Sequence, residues 1–285
     1  MPGHHYPRTM DLELRTGDDR IAGHVFSALG IEPLVFQERI GGSVVVVEKP
    51  SPSFTTVMTA GAARLPVDAG LPVELAVEVL PDQVGAALVA LRIVCNDIAT
   101  NRRTPPVEAP WCNAEPILVG TRVFAIAATG SRHGDTFDTI RSDDGAPIGR
   151  VLTLRMLTFA ESRILANRGW SGLVEAAGGA DNLLDVTRSN AALPTILEVD
   201  GPVIVTKLHD RHPPRWITSE EDGMFTSVTG RESQEYMDDA ANHEIWTRSS
   251  LAVRYPWVRE FLTAAAPNDV ARFDDATGAY TLERD

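Results

Sequence analysis

The chain has 285 residues, 44% of them hydrophobic and 23% charged, with a formal net charge of −13 at pH 7. That balance suits a folded chain with a sizeable core, and its acidity disfavours nucleic acid and anionic membranes as partners, because both need neutralising cations. Two cysteines, Cys95 and Cys112, are too few for a disulfide framework.

The opening MPGHHYPRTMDLEL lacks the apolar core of a signal peptide, and no apolar run reaches the ~18 residues of a membrane span. The expected location is the cytoplasm. Residues 1–19 read as a loose lead-in. Ile21, Val25 and Leu29 recur every four residues and predict a short helix ending at Gly30. Strands follow at Pro33–Gln37, at Ser43–Val47, whose valine run implies cover on both faces, and at Phe54–Thr59.

Val73–Val79 alternates apolar residues with Glu74 and Glu78, which point the other way from the apolar set. Pro81-Asp82 then starts a helix whose apolar positions, from Val84 through Cys95 to Ile98, keep the three-or-four spacing of one packed side. Cys95 on that face reads as a buried, reduced thiol. Beyond the break at Asn101–Pro106 come a loop with Trp111 and Cys112, and a long apolar strand from Ile117 through Ala127. A polar excursion, Gly130–Arg150, turns at Asp143-Asp144-Gly145. Val151–Leu157 is again a strand, and Thr158 with Glu161 three residues on forms a capping box for a helix to about Ala176. Gly178-Gly179 ends it. Asp181–Leu193 reads as a helix or linker, and Thr195–Val199 and Pro202–Leu208 as strands.

Charge is uneven: residues 1–180 carry 16 Lys+Arg against 20 Asp+Glu, whereas 181–285 carry 10 against 19. The excess centres on Gly223–Trp257. There a short strand, Met224–Val228, turns at Thr229-Gly230 into a predicted helix over about Arg231–Asp239. On it Glu232, Glu235 and Asp238 lie three apart and share an edge, with Asp239 beside them. Tyr236 and Trp246 interleave with these carboxylates. Acidic residues mixed with aromatics are the composition of a surface that meets a basic protein, and also of a plain solvated helix face.

Residues Phe225 through Gly230, Glu235-Tyr236-Met237-Asp238-Asp239, Asn242 and Ile245-Trp246 resemble a small bacterial domain, once of unknown function, found among immunity proteins of polymorphic toxin systems. The shared pattern is an aromatic-led strand ending in Gly, an acidic E-Y-hydrophobic-D-D, an Asn and an aliphatic–aromatic pair. It runs on to Pro267, Arg272–Asp275 and Gly278–Tyr280, where the family closes in a short hairpin. Phe225 stands where the family usually has Trp, and Asp269 near its usual Gly.

The first half resembles the suppressor-of-fused domain through Thr56–Gly61 with Val73-Glu74-Leu75, and through Val151–Thr158, Ala160-Glu161 and Asn167–Leu173. It departs at Ala99–Pro106, where that family has an aromatic, Trp- and Gly-bearing loop. Together the two resemblances and the charge shift place a boundary at Gly178-Gly179. The expected architecture is a two-domain α/β (α+β) chain. A mixed β-sheet flanked by helices occupies 20–178, a linker or connecting helix 179–194, and a small α+β domain 195–285.

The resemblances imply a cytoplasmic immunity protein that neutralises a cognate, basic protein toxin by contact through Glu232, Glu235, Tyr236, Asp238, Asp239 and Trp246. A regulatory protein as partner is the alternative. Neither resemblance implies an enzyme, a cofactor or a metal. The competing chemical reading is a hydrolase built on His209, Asp210 and His212, or on Ser131–Asp135. The first group has Pro213-Pro214 after it and reads as a solvated loop. Neighbours in sequence do not by themselves make a triad.

Overall fold

The computed structural model describes residues 14–15, 17–29, 35–188, 201–274 and 279–283. It is a mixed α/β structure, as the sequence predicts, and it contains two mixed sheets. The chain divides into two compact units that interleave in sequence. The first comprises 1–110, 126–156 and 180–186; the second comprises 111–125, 157–179 and 187–285. These units are not the segments 20–178 and 195–285 drawn from sequence.

In the first unit, helix α1 (Asp19–Leu29) precedes strands β1 (Val35–Ile40), β2 (Val44–Pro50), β3 (Thr55–Ala60) and β4 (Val73–Val79). These four form an antiparallel meander. Pro33 and Leu34, read as the start of a strand, lie outside the described residues. A 3-10 turn at Pro81–Gln83 leads into α2 (Val84–Asn101), and the crossover returns β8 (Pro147–Thr158) parallel to β4, Val77 opposite Leu154. Beyond β8 lies β6 (Val123–Thr129). The polar excursion holds a single helical turn, α3 (Asp135–Asp138), and β7 (Thr139–Arg141), which forms a hairpin with β8 through Ser142–Ala146.

Helix α2 buries Ala87, Leu91, Val94, Cys95 and Ile98 and packs against β3 and β4. By length and composition alone the stretch Pro81–Asn101 is long and apolar enough to cross a membrane. Burial among apolar neighbours pushes the Cys95 thiol pKa up, which keeps it protonated and unreactive. A cluster of Ile21, Val25, Val47, Met58, Ala76, Phe137, Ile140 and Val151 forms a second packed region.

Every residue of β4 is buried, including Glu74 and Glu78. The alternation therefore separates two interior faces, not core from solvent. Each carboxylate is matched there. Glu74 accepts from Thr59 Oγ1 at 2.6 Å and from the amides of Gly61, Ala62 and Ala63. Glu78 accepts from Arg155 Nη1 at 2.6 Å and from Arg132 Nε at 3.0 Å. An unpaired charge at either position would carry the full desolvation cost.

In the second unit, β5 (Trp111–Cys112) pairs with the start of β6. The long strand expected from Ile117 is broken by a tight turn at Gly120, whose φ of 77° a side chain disfavours, with Ile117 N donating to Val123 O. Helix α4 (Phe159–Ala176) begins with the expected capping box: Glu161 N donates to Thr158 Oγ1, and Thr158 N to Glu161 Oε2. It kinks at Gly169.

The six-stranded sheet runs β12-β9-β11-β10-β13-β14, from β9 (Pro202–Thr206), β10 (Trp216–Ser219), β11 (Phe225–Val228), β12 (His243–Thr247), β13 (Val270–Phe273) and β14 (Tyr280–Glu283). Strand β10 has no counterpart in the sequence reading, and the strand read at Thr195–Val199 lies outside the described residues. One sheet face carries Val203, Val205, Ile217, Phe225, Ala271, Phe273 and Leu282. It packs with α6 (Arg248–Arg254), α7 (Arg259–Ala264), and Phe124 and Phe159 from the earlier segments. Phe124 stacks on Tyr280 with ring centroids 4.8 Å apart. Ala160 N donates to Glu260, and Arg163 pairs with Asp269 at 2.7 Å, fixing α4 to this unit.

Candidate functional site

The acidic segment is built on the turn after β11. At Gly230 φ is 74°, and a Cβ there would lie 2.6 Å from the Trp216 ring, so only glycine closes this turn without displacement. The chain does not pass straight into a helix. Glu232 instead turns its carboxylate back, where Oε1 accepts from Thr206 Oγ1 at 2.5 Å and from Thr229 N at 2.9 Å, and Oε2 from Arg231 N. Burial pushes its pKa up, but these hydrogen bonds outweigh it and hold the carboxyl down at about 2.

The helix over Arg231–Asp239 is thus shorter than expected: α5 spans Gln234–Asp238, with Ser233 Oγ accepting from Tyr236 N as its cap. Glu232 precedes it, so the shared carboxylate edge reduces to Glu235 and Asp238. Asp239 caps the following 3-10 turn by accepting from Ala241 N, and Asn242 Nδ2 ties that turn to Tyr236 O. Glu235, Asp238 and Asp239 are exposed; Tyr236 and Trp246 are half-buried. No Lys or Arg of the described residues pairs with any of the three exposed carboxylates.

Strand β12 follows directly. Trp246 packs on the core, donates through Nε1 to Glu244 and lies under the Arg254 guanidinium at 5.3 Å. Ile245, on the opposite face, is 77% exposed. The structure therefore brings Glu235, Tyr236, Asp238, Asp239 and Trp246 onto one continuous stretch, and sets Glu232 apart as a brace beneath it.

His209 corrects the sequence reading. It is fully buried, not in a solvated loop, because the 3-10 turn Lys207–Asp210 after β9 swings it inward beneath β11. Its Nε2 lies 2.9 Å from Ser227 Oγ and its Nδ1 3.3 Å from Thr206 Oγ1, and the Trp246 and Tyr255 rings pack edge-on against it. Burial lowers its pKa against the pull of Glu232, so the neutral ring is favoured. A Ser227–His209–Thr206–Glu232 chain of polar contacts results. It has the order of a nucleophile, base and acid, yet Ser227 and His209 are both 0% exposed, so no substrate carbonyl reaches the hydroxyl. Alternation in Phe225-Thr226-Ser227 was the available signal, since it puts Ser227 on the side of Phe225.

Around Ser131 the side chains diverge. Ser131 Oγ accepts from His133 N, the His133 ring lies against Phe137, and Asp135 binds Thr139 and Arg141. Among the described residues, no three His, Cys, Asp or Glu side chains gather to hold a metal ion. A scan against protein-family models finds no match for the chain. A search of curated proteins finds no similar one.

Proposed function

We propose that the chain is a cytoplasmic bacterial immunity protein that binds a cognate basic toxin through the acidic stretch at α5 and β12. The observation that carries this reading is the set of three exposed carboxylates, Glu235, Asp238 and Asp239, with no cationic partner among the described residues, beside the half-buried aromatics Tyr236 and Trp246. Unneutralised like charges on one face repel, and a basic partner relieves that repulsion while being steered toward the site. The resemblances of residues 225–246 and of 151–173 to immunity and suppressor-of-fused domains supply the partner class. No catalytic step is assigned.

The test pairs the protein with the product of the reading frame that adjoins its own gene. Glu235→Lys with Asp238→Lys should slow association by about tenfold or more at low salt, with the difference shrinking as salt rises. An unchanged rate and salt dependence, with circular dichroism intact, would show the acidic face to be ordinary solvated surface.

A further inference from the structure

The sheet of the second unit ends differently on its two sides. At β14 the edge is covered in part: Leu282 N donates to Ala114 O at 2.7 Å. Among the described residues, strand β12 forms the other edge. Its pairing with β9 sets Arg248 opposite Gly201, and Arg248 N donates to Gly201 O at 3.0 Å. In an antiparallel ladder bonded and non-bonded pairs alternate, so Trp246 and Glu244 also bond inward to β9. The amide and carbonyl of Ile245 and the amide of Thr247 therefore point away from the sheet, whereas Thr247 caps α6 and its carbonyl enters the first turn of that helix.

Natural edges of this kind are usually blunted by Lys, Pro or a bulge. Strand β1, at the edge of the other sheet, has a bulge between Phe36 and Glu38. In β12, His-Glu-Ile-Trp-Thr contains neither Lys nor Pro, and its register with β9 is unbroken. Its apolar mid-strand residue, Ile245, is open to solvent and lies opposite the half-buried Ile204. Glu244 projects on the other face beside Trp246. Glu235, Asp238 and Asp239 stand at the strand's amino end, where Asp239 O lies 3.2 Å from His243 Nδ1.

We propose that β12 accepts an extended, basic segment of the partner as a seventh strand of this sheet. Backbone pairing goes to Ile245 and Thr247, apolar side chains of the segment lie beside Ile245, and Lys or Arg beside Glu244 and the α5 carboxylates. This rests on reading the acidic stretch as a partner surface, and it adds the mode of contact: main-chain hydrogen bonds supply affinity and alternate side chains supply selectivity.

The probe is a set of labelled peptides of about eight residues, a common strand length, titrated against the full chain by fluorescence anisotropy. They are alternating Lys–Val, alternating Glu–Val, and two Lys–Val forms N-methylated on alternate amides in opposite phase. Lys–Val should bind and Glu–Val should not. The two methylated forms should differ by about tenfold or more, because only one phase removes amides that face β12. Ile245→Pro removes an outward amide while sparing the inner ladder, and should weaken Lys–Val binding by a similar factor with far-UV circular dichroism retained.

Equal affinity of the two methylated forms, or no binding by any peptide, overturns the proposal. So does concentration-dependent self-association abolished by Ile245→Pro, which would make the edge a contact between copies of this chain. The methylation result needs no folded variant, so a misfolded Ile245→Pro leaves it decisive. Loss of the phase effect alongside a persisting effect of the Glu235/Asp238 reversal would sink the strand pairing and spare the acidic-surface reading. The converse pattern would sink the acidic surface and spare the edge.

Discussion

His209 and Glu232 belong to one contact chain but respond to acid in separate windows. The folded structure depresses the His209 pKa below its ordinary value of 6.5, so protonation favours the unfolded chain. Its contribution to stability is full above about pH 6.5 and is lost as pH falls below it. Glu232 is depressed from 4.5 to about 2, so its contribution is present above 4.5 and lost as pH falls toward 2. Urea unfolding midpoints should therefore fall in two stages, and His209→Gln should flatten the first while leaving the second. A midpoint constant from pH 7 to 5 in the unsubstituted protein would contradict the burial argument. Neither residue's role was legible from composition. His209 followed by Asp, Arg, His and two prolines reads as loop, and what buries it is a 3-10 turn with no strong sequence signal. Glu232 looked like one more surface carboxylate because the break before α5 depends on Gly230 packing against Trp216, a contact distant in the fold's logic from the local helical pattern.

Periodic elements were the most readable: α2, β4 and the capping box at Thr158 follow from spacing and from one Thr–Glu pair. Where backbone geometry interrupts a pattern, the reading failed, as at Gly120 and before α5. Short strands such as β10 and β12, with four and five residues, offer too few alternations to separate from loop. Helix α4 shows a break of the same backbone origin. Gly169 has φ 69° and ψ −178° inside an otherwise helical run, a region essentially reserved for glycine. Gly169→Ala should cost about 1–3 kcal/mol, read as a lowered thermal midpoint with the far-UV spectrum kept. A neutral or stabilising result would mean that the two halves of α4 straighten into one helix when given the side chain.

At the scale of the whole molecule the charge shift at Gly178-Gly179 was legible, and the interleaving was not, because nothing local tells Phe124 and Phe159 that their neighbours are Tyr280 and Phe261. Both pairs are in ring contact, at 4.8 and 6.2 Å. Removing a buried Phe typically costs about 3–5 kcal/mol, comparable to the whole stability of a small unit. A chain cut between Gly178 and Gly179 should therefore elute from size exclusion as one species under native conditions. Residues 187–285 expressed alone should lack a cooperative thermal transition, and a sharp one would show that their core closes without the two phenylalanines. The same arrangement sets an order of events during synthesis. Phe124 leaves the ribosome well before Tyr280, and at about 5–20 residues per second the delay is roughly 8–30 s. Through that interval Phe124 and Phe159 have no finished core to enter. Chaperones that hold nascent apolar segments have their longest access to this chain there, and translation speed through residues 125–280 governs how long they keep it.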